Sequence, residues 1–300
     1  MRKNIKPIFI HANARGGSNI IMNMLLSHPD VCLSNGETHK VFKGTKWDPL
    51  WRRWFKKAAF DLPIRLFARQ DFFDPDDYRP RKKVPNYIKS YMDYIFYQGR
   101  FWANVDTHNR YREEGVEYTK EELAGCRLLT KSLDGLVFTG DAFNSMYPDA
   151  AFLGLVRNGL AVCEGFTRRG ISAEHVGYMY RNTVCKMINS ANIWENYHLY
   201  KYEAMVGEPQ SFMRDIYQAA NLDLGRVPKV RLQSKGVVQA DGKRIHMRGK
   251  DRQVFWHDHA DFHNYIKSDI NANQIKQLYA DNKRVFLSVA GDVMEELGYI

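Results

Sequence analysis

The sequence predicts an α/β fold in which a central parallel sheet is flanked by helices on both faces. Three observations predict it. First, Ile8-Phe9-Ile10, Cys126-Arg127-Leu128-Leu129 and Ala151-Phe152-Leu153-Gly154-Leu155-Val156 are short apolar runs of the kind that form buried parallel strands. Second, apolar residues recur at helical spacing after the first of them, at Ile20, Ile21, Met24 and Leu25. Third, 300 residues suit one large α/β domain, taken here as residues 1–300 with a helical insertion over 45–110.

In chain order, the first strand gives way to Arg15-Gly16-Gly17, a segment that turns sharply and exposes backbone N–H groups. Ser18 and Asn19 are N-cap candidates for the helix that follows, which stops near His28 because Pro29 disfavours helix at the residue before it. Strand, glycine turn and helix N-terminus together make an anion cradle. The N–H groups converge, the helix dipole adds positive potential and Arg15 adds a full charge. The turn is not a Walker A loop, because G-x-x-x-x-G-K-S/T is absent. On its own it also fits an ordinary strand-to-helix connection.

Val31-Cys32-Leu33 is a second short strand and Asn35-Gly36-Glu37-Thr38-His39 a polar loop. Trp47, Leu50, Trp51, Trp54, Phe55, Ala58 and Leu62 then share one helix face, with Arg52, Arg53, Lys56 and Lys57 between them. Two readings fit: a helix packed on the core with a solvated basic face, or a peripheral contact through 47–62 with a membrane surface or lipid acceptor. Asp71 to Pro85 is an irregular, charged, proline-bearing connection. Tyr87 to Trp102 is an aromatic-rich helix with Tyr91, Tyr94, Ile95 and Phe101 inward.

Thr119 caps a helix with Glu121 and Glu122 in its first turn. The next strand ends at Thr130-Lys131-Ser132, so Lys131 stands at a carboxyl end, where open parallel sheets hold ligands. Arg157-Asn158-Gly159 directly follow the strand at 151–156. Helices are expected over Asn182–Tyr200, Ser211–Ala220 and Asn273–Leu297, the last with Ile275, Leu278, Val285, Phe286, Val289, Val293 and Leu297 inward. Val227 to Asp251 is basic and punctuated by glycine.

A formal charge of +10 favours anionic partners: nucleic acid, acidic lipid, a polyanionic nucleotide or an acidic peptide. Nucleic acid is not expected, because the aromatics follow helical spacing and no K/R-G-F/Y-type motif occurs. Cys32, Cys126, Cys163 and Cys185 form no C-x-x-C pair, and are expected to be reduced thiols of a cytosolic-type protein. The basic start, Met1 to Pro7, is not followed by a signal-peptide core, and no segment is long enough to span a bilayer. A cytoplasmic protein, peripheral at a membrane if 47–62 makes that contact, is the expectation. His257, His259 and His263 are expected at the surface or the acceptor side rather than on a metal.

Arg15-Gly16-Gly17-Ser18-Asn19, followed by a helix and His28-Pro29-Asp30, resembles the 5′-phosphosulfate loop of sulfotransferases that use 3′-phosphoadenosine 5′-phosphosulfate (PAPS). That loop commonly runs R-S-G-T-T or K-S-G-T-T, then a helix, then H-P. Tyr147 to Gly170 resembles the family's second motif, in which Arg157 matches the arginine of the nucleotide 3′-phosphate site. Gly165 stands where that motif has a serine, with Thr167, Arg168 or Arg169 as compensating groups and Arg169 preferred. Gly36-Glu37-Thr38 resembles the loop that carries the catalytic glutamate, His39 being the next candidate base. Lys131 matches the L-x-x-K lysine of the tyrosylprotein branch, and the motifs lie nearest the tyrosylprotein and carbohydrate branches.

The resemblance implies a P-loop NTPase-like sulfotransferase fold and PAPS as co-substrate. It implies a hydroxyl-bearing acceptor (peptide tyrosine, sugar or lipid) and no metal. Glu37, Arg15 and Lys131 would be catalytic. Arg15, Gly16, Gly17, Ser18, Asn19, Arg157, Gly165, Arg169, Tyr202 and Lys250 would bind the nucleotide, with Glu203 anchoring a strand end. Two other readings remain at this point. One is a P-loop-like phosphotransferase, against which the absence of a Lys-Ser/Thr pair counts. The other is a non-catalytic basic module for polyanions or membranes.

Overall fold

All five residues of β1 (Ile8–Ala12) are buried, because this strand lies at the centre of a sheet covered on both faces. The computed structural model describes residues 6–38, 42, 48–67, 84–105, 119–233, 236–238, 244–246, 254–266 and 269–300. His39, Trp47, Lys250 and the connection from Asp71 to Lys83 lie outside these residues. The sheet is five-stranded, in the order β2 (Val31–Glu37), β3 (Arg127–Leu133), β1, β4 (Ala151–Val156), β5 (Tyr197–Lys201). Every pairing is parallel. The helices are α1 (Ser18–Leu26), α2 (Leu50–Lys56), α3 (Leu62–Phe67), α4 (Asn86–Val105), α5 (Lys120–Gly125), α6 (Gly140–Met146), α7 (Gly159–Thr167), α8 (Ala173–Ile193), α9 (Tyr202–Gly207), α10 (Pro209–Ala219), α11 (Ile270–Gln277) and α12 (Ala280–Glu296). A π-helical turn, Lys57–Asp61, joins α2 to α3. The fold class expected from the sequence is the one observed.

Local chemistry explains several boundaries. Thr119 and Glu122 form a reciprocal capping box at α5, and Asn158 accepts from the Leu160 N–H to start α7 directly after β4. Beneath the sheet a buried ion pair joins Lys186 of α8 to Asp141 of α6 at 2.9 Å. Burial, and then the Lys186 cation, push the neighbouring His11 down to about 3, so the imidazole stays neutral. Replacing Lys186 with methionine would remove the buried cation that faces the Asp141 carboxylate. We expect Lys186→Met to cost about 3–5 kcal/mol in a urea unfolding titration.

The structure corrects several expectations. Gly17, not Ser18 or Asn19, is the N-cap of α1, with φ of 90°. Ser18 and Asn19 sit in the first turn, and Asn19 turns its side chain to Lys131 instead. Glu37 ends a strand rather than lying in a loop, because β2 continues past a register shift to pair Glu37 with Lys131. The apolar face of α2 and α3 does not pack on the core: Leu50, Trp51, Trp54, Phe55 and Leu62 are exposed, while Phe60, Asp61 and Ile64 are buried. Tyr94 faces outward, since α4 buries Ile88, Met92 and Phe96. Val285 is also exposed, on the outer side of α12. The expected helix Asn182–Tyr200 is displaced towards the N-terminus as α8, and Tyr197–Lys201 is strand β5. Among the described residues no helix is long and apolar enough to cross a membrane, and no three His, Cys, Asp or Glu side chains converge as metal ligands would.

Candidate active site

Because β1 and its neighbours are parallel, their carboxyl ends meet at one edge of the sheet. The loop Asn13 to Gly17 leaves β1 there. Arg15 (φ 71°) and Gly17 (φ 90°) both adopt the left-handed region, and the Gly16 N–H closes the turn on the Asn13 carbonyl at 2.9 Å. A Cβ on Gly17 would fall 2.3 Å from the Tyr202 ring, so only glycine fits against it. We expect Gly17→Ala to lose about 1–3 kcal/mol from backbone strain alone, read as a lower denaturation midpoint. The Ala14 N–H donates to Asp134 Oδ1 at 2.8 Å, which ties the loop to the end of β3.

Beside this loop stand the ends of β2 and β3. Lys131 Nζ, on a buried side chain, donates to Asn19 Oδ1 at 2.8 Å and lies 3.6 Å from Glu37 Oε1. The Glu37 side chain stays 29 % exposed. Thr38 and Ser132 hydroxyls meet at 3.1 Å just beyond, holding the two strand ends together. Asp134 adds a second carboxyl here. Burial pushes it up, the Ala14 N–H and Asn13 draw it down, and the charge of Glu37 raises it further.

Arg157 enters from the end of β4. Its Nη1 donates to the Arg15 carbonyl at 2.7 Å, its Nε to Asn271 Oδ1 at 2.7 Å and its Nη2 to Gln274 Oε1 at 2.5 Å. The guanidinium lies over the Tyr202 ring, 4.4 Å from its centroid, and burial lowers its pKa. Tyr202 is therefore held between Gly17 and Arg157 and spaces the loop from the β4 end. Glu203 accepts from the Asn158 N–H at 3.0 Å, from the Tyr299 hydroxyl at 2.6 Å and from Asn271. It ties the start of α7 to the C-terminal helices, a wider role than the strand anchor expected. The loop, Lys131, Arg157 and the Glu37 carboxylate thus gather at one edge of the sheet. Cations beside a carboxylate can hold an anionic group and accept a proton next to it.

The model of the sulfotransferase family matches residues 7–226, which contain β1, its loop, Glu37, Lys131 and Arg157. The chain belongs to the sulfotransferase family. Solved structures similar to this sulfotransferase include the sulfotransferase domain of the olefin synthase of Synechococcus PCC 7002, with 16 % identity, 96 % of each chain covered and a TM-score of 0.48. A sulfotransferase of Alicyclobacillus acidocaldarius shares 15 % identity over 73 % of this chain and 82 % of its own, with a TM-score of 0.41. One from Mycobacterium avium shares 15 % over 75 % and 67 %, with a TM-score of 0.38. No curated protein matches the chain significantly.

Of the residues expected at the site, the sulfotransferase brings Arg15, Gly16, Gly17, Ser18, Asn19, Glu37, Lys131, Arg157, Gly165 and Tyr202 to this edge. Arg169 is not among them: its side chain is exposed beyond the end of α7. A Cβ at Gly165 would make ordinary contact with the Arg15 stem, 3.4 Å from its Cγ. The polar group beside that position is the Gln274 amide, 3.7 Å from the same point. Thr167 donates to the Glu164 carbonyl, and Arg168 pairs at 3.4 Å with the Glu164 carboxylate, which also accepts from Gln274 at 2.8 Å. Sequence reasoning missed Asp134, Asn271, Gln274 and Tyr299. Only Asp134 had a local signal, as an acidic residue three positions after Lys131 at a strand end.

Proposed function

We propose that this sulfotransferase moves a sulfuryl group from PAPS to an acceptor hydroxyl by in-line displacement. The observation that carries the reading is the meeting of Glu37, Lys131 and Asn19 beside the loop from Asn13 to Gly17. The residues suit the donor: the loop turns through two left-handed positions into the start of α1, and the Arg157 guanidinium donates to the Arg15 carbonyl beside it. The loop N–H groups and Arg15 would hold the 5′-phosphosulfate, and Arg157 the 3′-phosphate, with Tyr202 lining the space between. PAPS supplies the sulfuryl group and leaves as adenosine 3′,5′-bisphosphate.

Glu37 would take the proton of the acceptor hydroxyl as its oxygen bonds to sulfur. The bond from sulfur to the 5′-phosphate oxygen breaks, and the electron pair stays with the leaving phosphate. Lys131 would neutralise charge on the sulfuryl oxygens and the leaving oxygen, so most of the catalysis is alignment and preset charge. Lys250 is proposed as a further donor contact and 45–110 as the segment that shapes the acceptor side. The acceptor class is a hydroxyl of a peptide tyrosine, a sugar or a lipid.

A thermal-shift comparison tests donor choice. Adenosine 3′,5′-bisphosphate should raise the melting temperature, and ATP with Mg²⁺ should not. Equal stabilisation by both, or by ATP with Mg²⁺ alone, would favour a phosphotransferase and remove this reading.

A further inference from the structure

Surface helices normally turn their apolar stripe inward. The segment from Leu50 to Leu62 does the reverse. Leu50, Trp51, Trp54 and Phe55 are 71, 72, 67 and 58 % exposed, and Leu62 continues the stripe. Phe55 touches Phe60 edge-on, with ring centroids 6.0 Å apart, yet all four side chains keep most of their surface in solvent. The arrangement is nonetheless anchored. Phe60 and Ile64 are buried, Phe60 stacks on Tyr91 with ring centroids 3.6 Å apart, and the Tyr87 hydroxyl reaches the Ala59 carbonyl at 3.5 Å. The fold therefore fixes one face of this segment on α4 and presents the other to solvent.

Charge accompanies the apolar face. Arg53 and Lys57 are exposed, and Lys57 Nζ lies 5.3 Å from the centre of the Trp54 ring. Lys56 is engaged by Asp48 at 3.3 Å and contributes less. The chain as a whole carries +10. We propose that Leu50, Trp51, Trp54 and Phe55 insert into the interface of an anionic phospholipid bilayer, with Arg53 and Lys57 on its headgroups. Tryptophan suits the boundary between headgroups and acyl chains, where its ring is apolar and its N–H stays wet. Basic residues beside such an apolar face add attraction to acidic lipid. Projecting rings fit a deformable lipid surface better than a rigid acidic protein, which would need a pocket for each of them. Since α4 packs on β2, docking here places the membrane on the Glu37 side of the sheet.

The test is sedimentation with extruded vesicles, of phosphatidylcholine alone or with about 30 mol % phosphatidylserine, in roughly 0.1 M salt. The wild-type chain should partition to the phosphatidylserine vesicles at least about tenfold more strongly than to phosphatidylcholine alone. Trp51→Ser with Trp54→Ser should lower that partitioning about tenfold or more at an unchanged melting temperature, as both rings are exposed. Arg53→Glu with Lys57→Glu should remove the preference for phosphatidylserine. No partitioning of the wild type, or equal partitioning of the Trp51→Ser/Trp54→Ser variant, overturns the proposal. So does a wild type that ignores vesicles but binds polyglutamate, which would assign the face to an acidic protein. None of these outcomes bears on donor binding or on the roles of Glu37, Lys131 and Arg157, which lie outside the stripe.

Discussion

Glu37→Gln is expected to lower kcat by about 10²–10⁴-fold, the range for loss of a positioned general base. The change keeps the size and shape of the side chain and removes its negative charge together with its ability to take a proton. Glu37 stands at the end of β2 opposite Lys131, with its side chain partly exposed. Its contact to Lys131 is 3.6 Å, longer than a hydrogen bond, so the substitution leaves the Lys131–Asn19 bond at 2.8 Å in place. Affinity for adenosine 3′,5′-bisphosphate should stay as it is. The check is steady-state turnover of PAPS alongside calorimetric binding of the bisphosphate. Full activity in the variant would move the base elsewhere, with Asp134 the nearest other carboxyl.

Lys131→Ala should cost about 10²–10³-fold in kcat, the scale for removing one preset charge-stabilising donor. Lys131 is buried, and its ammonium is placed by Asn19 of α1 and Glu37 of β2 together. A general drop in nucleotide affinity would mark a merely structural role. The expected pattern is a fall in kcat with little change in bisphosphate binding, because the lysine would act on charge that develops at the transferring group. Lys131→Arg should recover only part of the rate, since the planar guanidinium cannot take the same position between Asn19 and Glu37.

The parts of the site that could be read from sequence are those built from contiguous residues. A strand, a glycine turn and a helix within Ile8 to Leu26 announce the cradle, and the run from Ala151 to Val156 announces where Arg157 emerges. Lys131 followed from the strand end and the L-x-x-K resemblance together. Glu37 was expected in a loop, since Asn35 and Gly36 signal one, and pairing with β3 overrides that local preference. Asn271, Gln274 and Tyr299 were invisible because they arrive from more than a hundred residues beyond the loop, through packing that no short pattern encodes. Arg169 was preferred because the tyrosylprotein branch carries a basic residue one helical turn past the serine position, yet α7 ends at Thr167 and the Arg169 side chain is exposed beyond it. The stripe from Leu50 to Leu62 shows a limit of periodicity itself. Spacing defines one apolar face, but the direction it faces depends on which residues are buried: Phe60, stacked on Tyr91 of α4, and Ile64.

The central claim is that the loop around Arg15 and the end of β4 at Arg157 hold one nucleotide between them. Titration calorimetry with adenosine 3′,5′-bisphosphate and with adenosine 5′-phosphate, on the wild type and on Arg157→Gln, tests it most directly. The wild type should prefer the bisphosphate by about 10–100-fold, the value of charge-assisted hydrogen bonds to the extra phosphate, and Arg157→Gln should erase that preference while still binding adenosine 5′-phosphate. A wild type indifferent to the 3′-phosphate, or a preference that survives in Arg157→Gln, would contradict it.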